Sequence, residues 1–196
     1  MDNEISNDAR IVRRSRQTEF ATRAEGDNLI VEGYFIVFNQ PYYVNAWEEE
    51  VIDPHALDNA DVSDVRGLID HVSHLVLGRN KANTLTFRVD DKGVFGSIQI
   101  NSADSDAMNL RARVQRGDVD QASFGMTEGA ILYSDLPDGR VRRTVQTIEK
   151  LWELSVCTFP AYEQTSVGSR GVNNNISAEA LRWKKEKIRK EFKHHA

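Results

Sequence analysis

Ser123 is the residue whose surroundings most clearly suggest chemistry. It lies in the stretch GDVDQASFGM at residues 117–126, where small or flexible neighbours let a backbone approach a substrate closely. A serine attacks a peptide carbonyl when a base lies within reach, a third group orients that base, and N–H donors face the oxyanion. Because a Ser-x-Gly triplet is also common in ordinary strands and loops, Ser123 is a candidate nucleophile that needs partners elsewhere in the chain.

Histidines supply the candidate bases. His71 and His74 lie in IDHVSHLVLGR at residues 69–79, at the end of a predicted strand. A histidine at a strand end, before a loop, is well placed to work at a cleft. The alternative is a hydrogen-bonded loop histidine. His55, in a Pro-His-Ala-Leu turn, is interpreted as structural.

Glu153 is the candidate for the group that orients the base. It interrupts the apolar stretch LWELSVC at residues 151–157, which predicts a buried strand. A carboxylate is seldom buried without a partner, because removing its charge from water is costly. A histidine partner would satisfy Glu153 and raise the basicity of the imidazole. The alternative is a half-solvated strand on which Glu153 is simply exposed.

A metal-dependent hydrolase is a competing interpretation of the same segment. Asp70, His71 and His74 have a spacing that could suit a metal ion. No further cluster of histidine or cysteine in the sequence completes such a site. The sequence therefore predicts neither a metal ion nor another cofactor.

The sequence predicts many short strands before, between and after these candidate residues. Strand-forming residues and turn signals predict extended segments over residues 29–38, 65–70, 85–89, 94–100, 121–133, 141–148 and 151–159. A helix is predicted where Ala107, Leu110 and Val114 recur at helical spacing, with Asp104 as a capping candidate and Gly117 as a stop. This pattern predicts a mainly β (α+β) fold, a closed or nearly closed β-barrel with a few flanking helices.

The two ends of the chain differ from its middle. Residues 1–18 are polar and arginine-rich, which predicts a flexible basic extension ahead of one domain at residues 19–172. Residues 173–196 predict a basic, helical tail, for which Ser177 is a capping candidate. Its charge pattern is typical of a solvated helix face, and the alternative is a docking element for an acidic partner.

Composition excludes several classes of protein. The chain has 196 residues, 40% hydrophobic and 28% charged, and its formal net charge of −5 does not favour coating of nucleic acid. The single cysteine, Cys157, rules out an internal disulfide framework and fits a reducing cytoplasm. No apolar stretch approaches the roughly 20 residues that cross a bilayer, and the first residues lack the apolar core of a signal peptide.

Five sequence blocks occur together in the order of a known family. They are GYFIVFN at residues 33–39, EVIDPHAL at 50–57, IDHVSHLVLGR at 69–79, SFG at 123–125 and ELSVCTFPAY at 153–162. With these blocks the chain resembles the prohead proteases of tailed bacteriophages, whose fold is related to that of the herpesvirus capsid assembly protease. The resemblance spans most of residues 19–170, and it implies a barrel of the herpesvirus-protease type.

The resemblance implies a role for each candidate. His71 matches the family's base, Ser123 its nucleophile and Glu153 the third member of the triad. The family often has an acid or an amide after the catalytic histidine, whereas this chain has Val72, so His74 stays a rival base.

The resemblance also implies a biological role. The chain would be a serine endopeptidase that cleaves phage scaffold and major capsid protein, and also itself, inside the procapsid in the host bacterial cytoplasm. By analogy with the herpesvirus enzymes, a homo-oligomer is expected, and backbone N–H groups near Ala161 and Tyr162 are candidate oxyanion donors. No membrane and no specific nucleic acid are expected as partners. The alternative is a non-catalytic scaffold or capsid-binding module with the same fold.

Overall fold

The computed structural model describes residues 11–25, 28–158 and 177–194. Within these residues the chain is mainly β, with thirteen strands and two α-helices, so the predicted fold class is confirmed. The strands form three separately hydrogen-bonded sheets of five, four and four strands. No closed barrel is found among them, and the predicted barrel is therefore not confirmed.

The first sheet, called the central sheet here, carries the candidate active-site residues. Its strand order is β1-β10-β13-β6-β7, and its strands are β1 (Val12–Gln17), β10 (Gln121–Glu128), β13 (Ile148–Cys157), β6 (Arg66–Ile69) and β7 (Val76–Arg79). β10 is antiparallel to both of its neighbours, β1 and β13, whereas β13 and β6 are parallel. The strand with Ser123 thus lies directly between β1 and the strand with Glu153.

The other two sheets complete the β structure. The second has the order β11-β12-β5-β4, with β11 (Ile131–Asp135), β12 (Val141–Val145), β5 (Glu48–Ile52) and β4 (Tyr42–Asn45). The third has the order β2-β3-β9-β8, with β2 (Ala21–Glu25), β3 (Asn28–Val37), β9 (Gly93–Ile100) and β8 (Leu85–Asp90). The predicted extended segments at residues 85–89 and 94–100 form the antiparallel pair β8 and β9.

The apolar faces of the sheets meet in one core. Phe35 of β3, Phe124 of β10 and Leu154 of β13 are fully buried members of the same cluster. Burying a side chain of this size contributes about 1.5–3 kcal/mol relative to leaving it exposed. Phe124 follows Ser123 in sequence, and Leu154 follows Glu153. Because neighbouring residues of a strand point to opposite faces, Ser123 and Glu153 lie on the other face of the central sheet.

Helix α1 (Ser105–Arg116) forms as the sequence predicts. The Asp104 carboxylate accepts hydrogen bonds from the first backbone N–H groups, and Gly117 ends the helix at a φ of +84°, in the left-handed region that suits glycine. The buried face consists of Ala107, Leu110 and Val114. A short 3₁₀ turn at Asn80–Ala82 follows β7. No helix in the described part of the chain is long and apolar enough to cross a membrane.

The C-terminal helix α2 (Ala178–His194) packs onto the second sheet. The Ser177 hydroxyl accepts a hydrogen bond from the Ala180 N–H at 3.1 Å, and Ala180 is fully buried. The ring of Trp183 lies 6.0 Å from the ring of Tyr133, centroid to centroid. The predicted helix therefore forms, and its first turns contact the sheet. Docking of an acidic partner by this helix stays a prediction.

The N-terminal segment differs from the expected flexible extension. Val12–Gln17 form β1, which pairs with β10 along its length, and Arg14 and Ser15 are buried. The reason lies in partners distant in sequence, because the Arg14 guanidinium binds carboxylates on β5 and β10. A polar, arginine-rich segment has no apolar periodicity, so this strand could not be predicted from the N-terminal residues alone.

Candidate active site

A constrained turn after β6 presents His71. Asp70 and His71 both have positive φ, +47° and +61°, in the left-handed region that residues other than glycine seldom adopt. The Asp70 N–H donates to the carbonyl of Val156 at 3.1 Å, and the Asp70 carboxylate accepts from the N–H and hydroxyl of Thr158 at 2.7 and 3.1 Å. These bonds tie the turn to the end of β13 and hold His71 against that strand.

His71 and Glu153 form the central contact of the site. The distance from His71 Nδ1 to Glu153 Oε1 is 2.5 Å, and the two side chains are only 14% and 7% exposed. The Ser155 hydroxyl donates to the other carboxylate oxygen, and Arg13 Nε lies 3.6 Å from Oε1. Glu153 is thus a buried carboxylate with partners, which is the first of the two alternatives that the sequence left open.

This contact fixes which nitrogen of His71 carries the proton. An ionised carboxylate only accepts hydrogen bonds, so Nδ1 is the donor and Nε2 presents its lone pair. Nε2 is buried and has no hydrogen-bond partner among the residues that the structure describes. A base oriented in this way can take a proton from a hydroxyl that approaches Nε2.

Ser123 lies on the same face of the central sheet. In the strand register, Ser123 is opposite Ser155 and Gly125 is opposite Glu153, and residues directly opposite each other project to the same face. Ser123 is fully buried, and its hydroxyl donates to the backbone carbonyl of Arg14 in β1 at 2.8 Å. The structure therefore joins His71 to Glu153, while the hydrogen bond of Ser123 goes to β1.

Gly125 makes room for the Glu153 side chain. A Cβ atom added at Gly125 would lie 2.7 Å from Glu153 Oε1, closer than real Cβ contacts allow. The sequence suggests that the small or flexible neighbours of Ser123, Gly125 among them, let a backbone approach a substrate closely. In the structure, the residue after Phe124 has to be glycine because any side chain there would collide with the carboxylate that contacts His71.

Gly125→Ala is expected to disturb catalysis and stability together. The new methyl group must push the Glu153 carboxylate away from His71, and misplacement of this kind reduces kcat by about tenfold to a hundredfold. Crowding at this buried position costs about 1–3 kcal/mol of unfolding free energy. Peptide cleavage and thermal unfolding measure the two effects. Adding Glu153→Asp, whose shorter side chain relieves the clash, should restore part of the lost stability, and full activity in Gly125→Ala alone would contradict this role.

The metal interpretation finds no support in the described residues. The Asp70 carboxylate is bound by Thr158, His71 contacts Glu153, and His74 is exposed. No group of three or more histidine, cysteine, aspartate or glutamate side chains there is arranged to hold a metal ion. His74, the rival base, makes no contact with Glu153 in this arrangement. Ala161 and Tyr162, the candidate oxyanion donors, lie outside the described residues.

Cys157 is a buried thiol at the end of β13. It is 1% exposed, and burial raises its pKa well above the usual value, with the charges of Asp70 and Glu153 adding to the shift. Because the thiolate is the reactive form and Cys157 is buried, we expect that Cys157 does not act as a nucleophile in the folded protein. We expect a thiol reagent such as iodoacetamide to leave Cys157 unmodified until the chain is unfolded, as peptide mass analysis would show. Rapid modification of the native protein would contradict this.

Three supporting residues were not assigned these roles from the sequence. Ser155 bonds the carboxylate of Glu153, Asp70 holds the turn of His71, and Arg13 lies beside Glu153. The position of Ser155, two residues after Glu153 in a strand, was a usable signal, because alternate residues share a face. The contact of Arg13 depends on the pairing of β1, which the sequence does not reveal.

Comparison with known proteins identifies the family. The family model described as caudovirus prohead serine protease matches residues 16–178, which is most of the chain. The chain belongs to this family. The resemblance seen in the five sequence blocks is thereby confirmed, and residues 12–15 of β1 precede the matched region.

Two relatives show the extent of the similarity. The prohead protease of Enterobacteria phage HK97 is 29% identical over 153 residues, which cover 78% of this chain and 65% of that protein. The chain is thus similar to somewhat less than two thirds of that relative's length. The bacteriophage T4 capsid assembly protease has a similar fold, with a TM-score of 0.50 and 10% identity over 76% of this chain and 98% of that one.

Proposed function

We propose that this chain is a serine endopeptidase that cleaves capsid and scaffold proteins inside a phage procapsid during head maturation. The contact between His71 and Glu153, on the sheet face that carries Ser123, is the observation that carries the proposal. Membership of the prohead serine protease family supports the same chemistry. The names of its relatives in phages HK97 and T4, a prohead protease and a capsid assembly protease, support the biological setting.

The proposed reaction is acyl transfer to Ser123 followed by hydrolysis. The Ser123 Oγ attacks the scissile carbonyl carbon while His71 Nε2 takes the hydroxyl proton. Glu153 holds the imidazole in the required tautomer and stabilises the imidazolium. His71 then gives its proton to the leaving amine, and a water molecule, activated in the same way, releases the peptide acid and restores the serine.

The proposed substrates are proteins packed together with the enzyme. They are the phage major capsid protein, the scaffold and the chain itself, within a procapsid in the host cytoplasm. Confinement gives a high effective concentration, so a modest intrinsic activity is sufficient for complete processing. The proposed catalytic domain is residues 19–172, and a homo-oligomer is part of the proposal by analogy with herpesvirus enzymes.

Class-specific inhibitors test the proposed chemistry. The chain is co-expressed with the capsid and scaffold proteins of its own phage, and cleavage products in the lysate are followed by mass spectrometry. A fluorophosphonate, which reacts with activated serines, should stop cleavage, whereas EDTA and iodoacetamide should not. Inhibition by EDTA would instead favour the metal-dependent hydrolase. Capsid proteins that stay uncut while the chain still enters procapsids would favour the non-catalytic module.

A further inference from the structure

β1 occupies the edge of the central sheet next to the candidate nucleophile. It pairs antiparallel with β10 over six residues, with Ser15 opposite Ser123 and Arg14 opposite Phe124. Addition of an extended strand to a sheet edge is a common way for proteins to bind peptides. A substrate peptide that bound at Ser123 as a strand would need the edge that β1 now covers.

The contact with β1 also directs the Ser123 hydroxyl to a backbone carbonyl and not to its proposed base. The Ser123 hydroxyl donates to the carbonyl of Arg14, while catalysis requires it to donate to His71 Nε2. Within the described residues, His71 Nε2 and the Ser15 hydroxyl are both buried without a hydrogen-bond partner. A buried polar atom without a hydrogen bond costs free energy. An arrangement of the site in which these two atoms form hydrogen bonds would therefore be more favourable.

The side chain of Arg14 is bound by a pair of carboxylates. Its guanidinium forms two bonds to Glu50, one of them 2.7 Å long, and one of 3.2 Å to Glu128. Glu50 is completely buried, and Arg143 also bonds both carboxylates. Because one arginine does not balance two carboxylates, the site requires a second cation, which Arg14 supplies.

We propose that substrate peptides bind along the edge of β10. In the structure, β1 (Val12–Gln17) of the same chain occupies this edge and thereby keeps the enzyme inactive. The residue whose carbonyl meets Ser123 is also the residue whose side chain lies between Glu50 and Glu128. The substrates are therefore extended peptides with arginine or lysine directly before the scissile bond. The inference rests on the proposed serine protease function, and it adds the substrate class and the form of its inhibition.

The test compares the rate at which Ser123 reacts with a fluorophosphonate in full-length variants. In this reaction the Ser123 Oγ displaces fluoride from phosphorus, and His71 accepts the hydroxyl proton. Arg14→Ala removes the anchor of β1 and should increase the labelling rate by about tenfold or more, since the open form becomes more populated. Arg23→Ala is the matched control, because Arg23 is exposed on β2, in the third sheet, and forms an ion pair with Glu32 of the neighbouring strand.

A peptide added in trans tests the specificity. A synthetic peptide of residues 11–20 should slow the labelling of the Arg14→Ala variant, because it refills the edge. The same peptide with alanine at the position of Arg14 should have little effect. Equal inhibition by both peptides would overturn the assignment of Glu50 and Glu128 as a subsite for a basic side chain.

A disulfide lock tests the occupancy of the edge without removing Arg14. Arg16 and Ala122 are opposite each other in β1 and β10, so Arg16→Cys combined with Ala122→Cys can link the strands. The oxidised protein should label at least about tenfold more slowly than the same protein after reduction. Equal rates would overturn the inference even if Arg14→Ala fails to fold.

The outcomes separate the inference from the proposed function. Labelling that depends on Ser123 but is unchanged by Arg14→Ala and by the lock leaves a serine protease and overturns the latent strand. An absence of Ser123 labelling from every variant, reduced and oxidised, overturns both proposals.

Discussion

Ser123→Ala is expected to abolish peptide cleavage, reducing kcat/KM by about 10⁴-fold or more. The alanine has no oxygen to form the acyl-enzyme, and what remains is binding and any oxyanion stabilisation. Ser123 is fully buried, and its hydroxyl forms one hydrogen bond within the described part of the chain, to the neighbouring strand, so the change removes few contacts of the fold. Cleavage of the capsid protein by the purified variant, followed over time, measures the effect.

Ser155→Ala is the matched control for this variant. Ser155 lies opposite Ser123 on the same face and is equally buried, but its hydroxyl donates to Glu153. Loss of this bond should lower activity by roughly tenfold, far less than loss of the nucleophile. If Ser155→Ala were inactive and Ser123→Ala active, the serine assignment would have to be exchanged between the two strands.

His71→Ala is expected to lower kcat by about 10⁴-fold or more, whereas His74→Ala should leave it within about twofold. His71 contacts the Glu153 carboxylate through Nδ1, and its Nε2 is buried. His74 is three residues further along, in an exposed turn. Single-turnover cleavage by the two variants separates the chemical step from substrate binding.

The reverse result would change the assignment of the base. A variant of His74 that lost activity while His71→Ala kept it would require the turn after β6 to rearrange. Thermal unfolding of both variants is the necessary control, because His71 adopts a left-handed backbone conformation in that turn. Alanine tolerates this conformation poorly, so His71→Asn, which adopts it more readily, is the better substitution if stability falls.

The sequence predicted the strands around the candidate site better than the contacts between them. Glu153 interrupts an apolar run, and the cost of burying a carboxylate alone pointed to a partner for it. His71 follows a predicted strand that proved to be β6, parallel to β13 in the central sheet. Because β-branched and aromatic residues mark strands locally, the segments around both residues could be found without knowing the sheet order.

The parts that escaped prediction depend on long-range pairing. β1 is held through Arg14 by the carboxylates of Glu50 and Glu128, which follow Arg14 by 36 and 114 residues. No local periodicity records such a contact, so an ordered edge strand was expected to be a flexible extension. For the same reason the sequence could not show that Gly125 faces Glu153, nor how the strands are divided among the three hydrogen-bonded sheets.

The measurement that most directly tests the central claim is to locate the fluorophosphonate adduct by mass spectrometry in the full-length protein. If His71 and Glu153 activate Ser123, one adduct is expected, on the peptide that contains Ser123. No adduct is expected in His71→Ala. An adduct on Ser155 or another serine would contradict the account. So would a preparation that cleaves capsid proteins but leaves Ser123 unmodified.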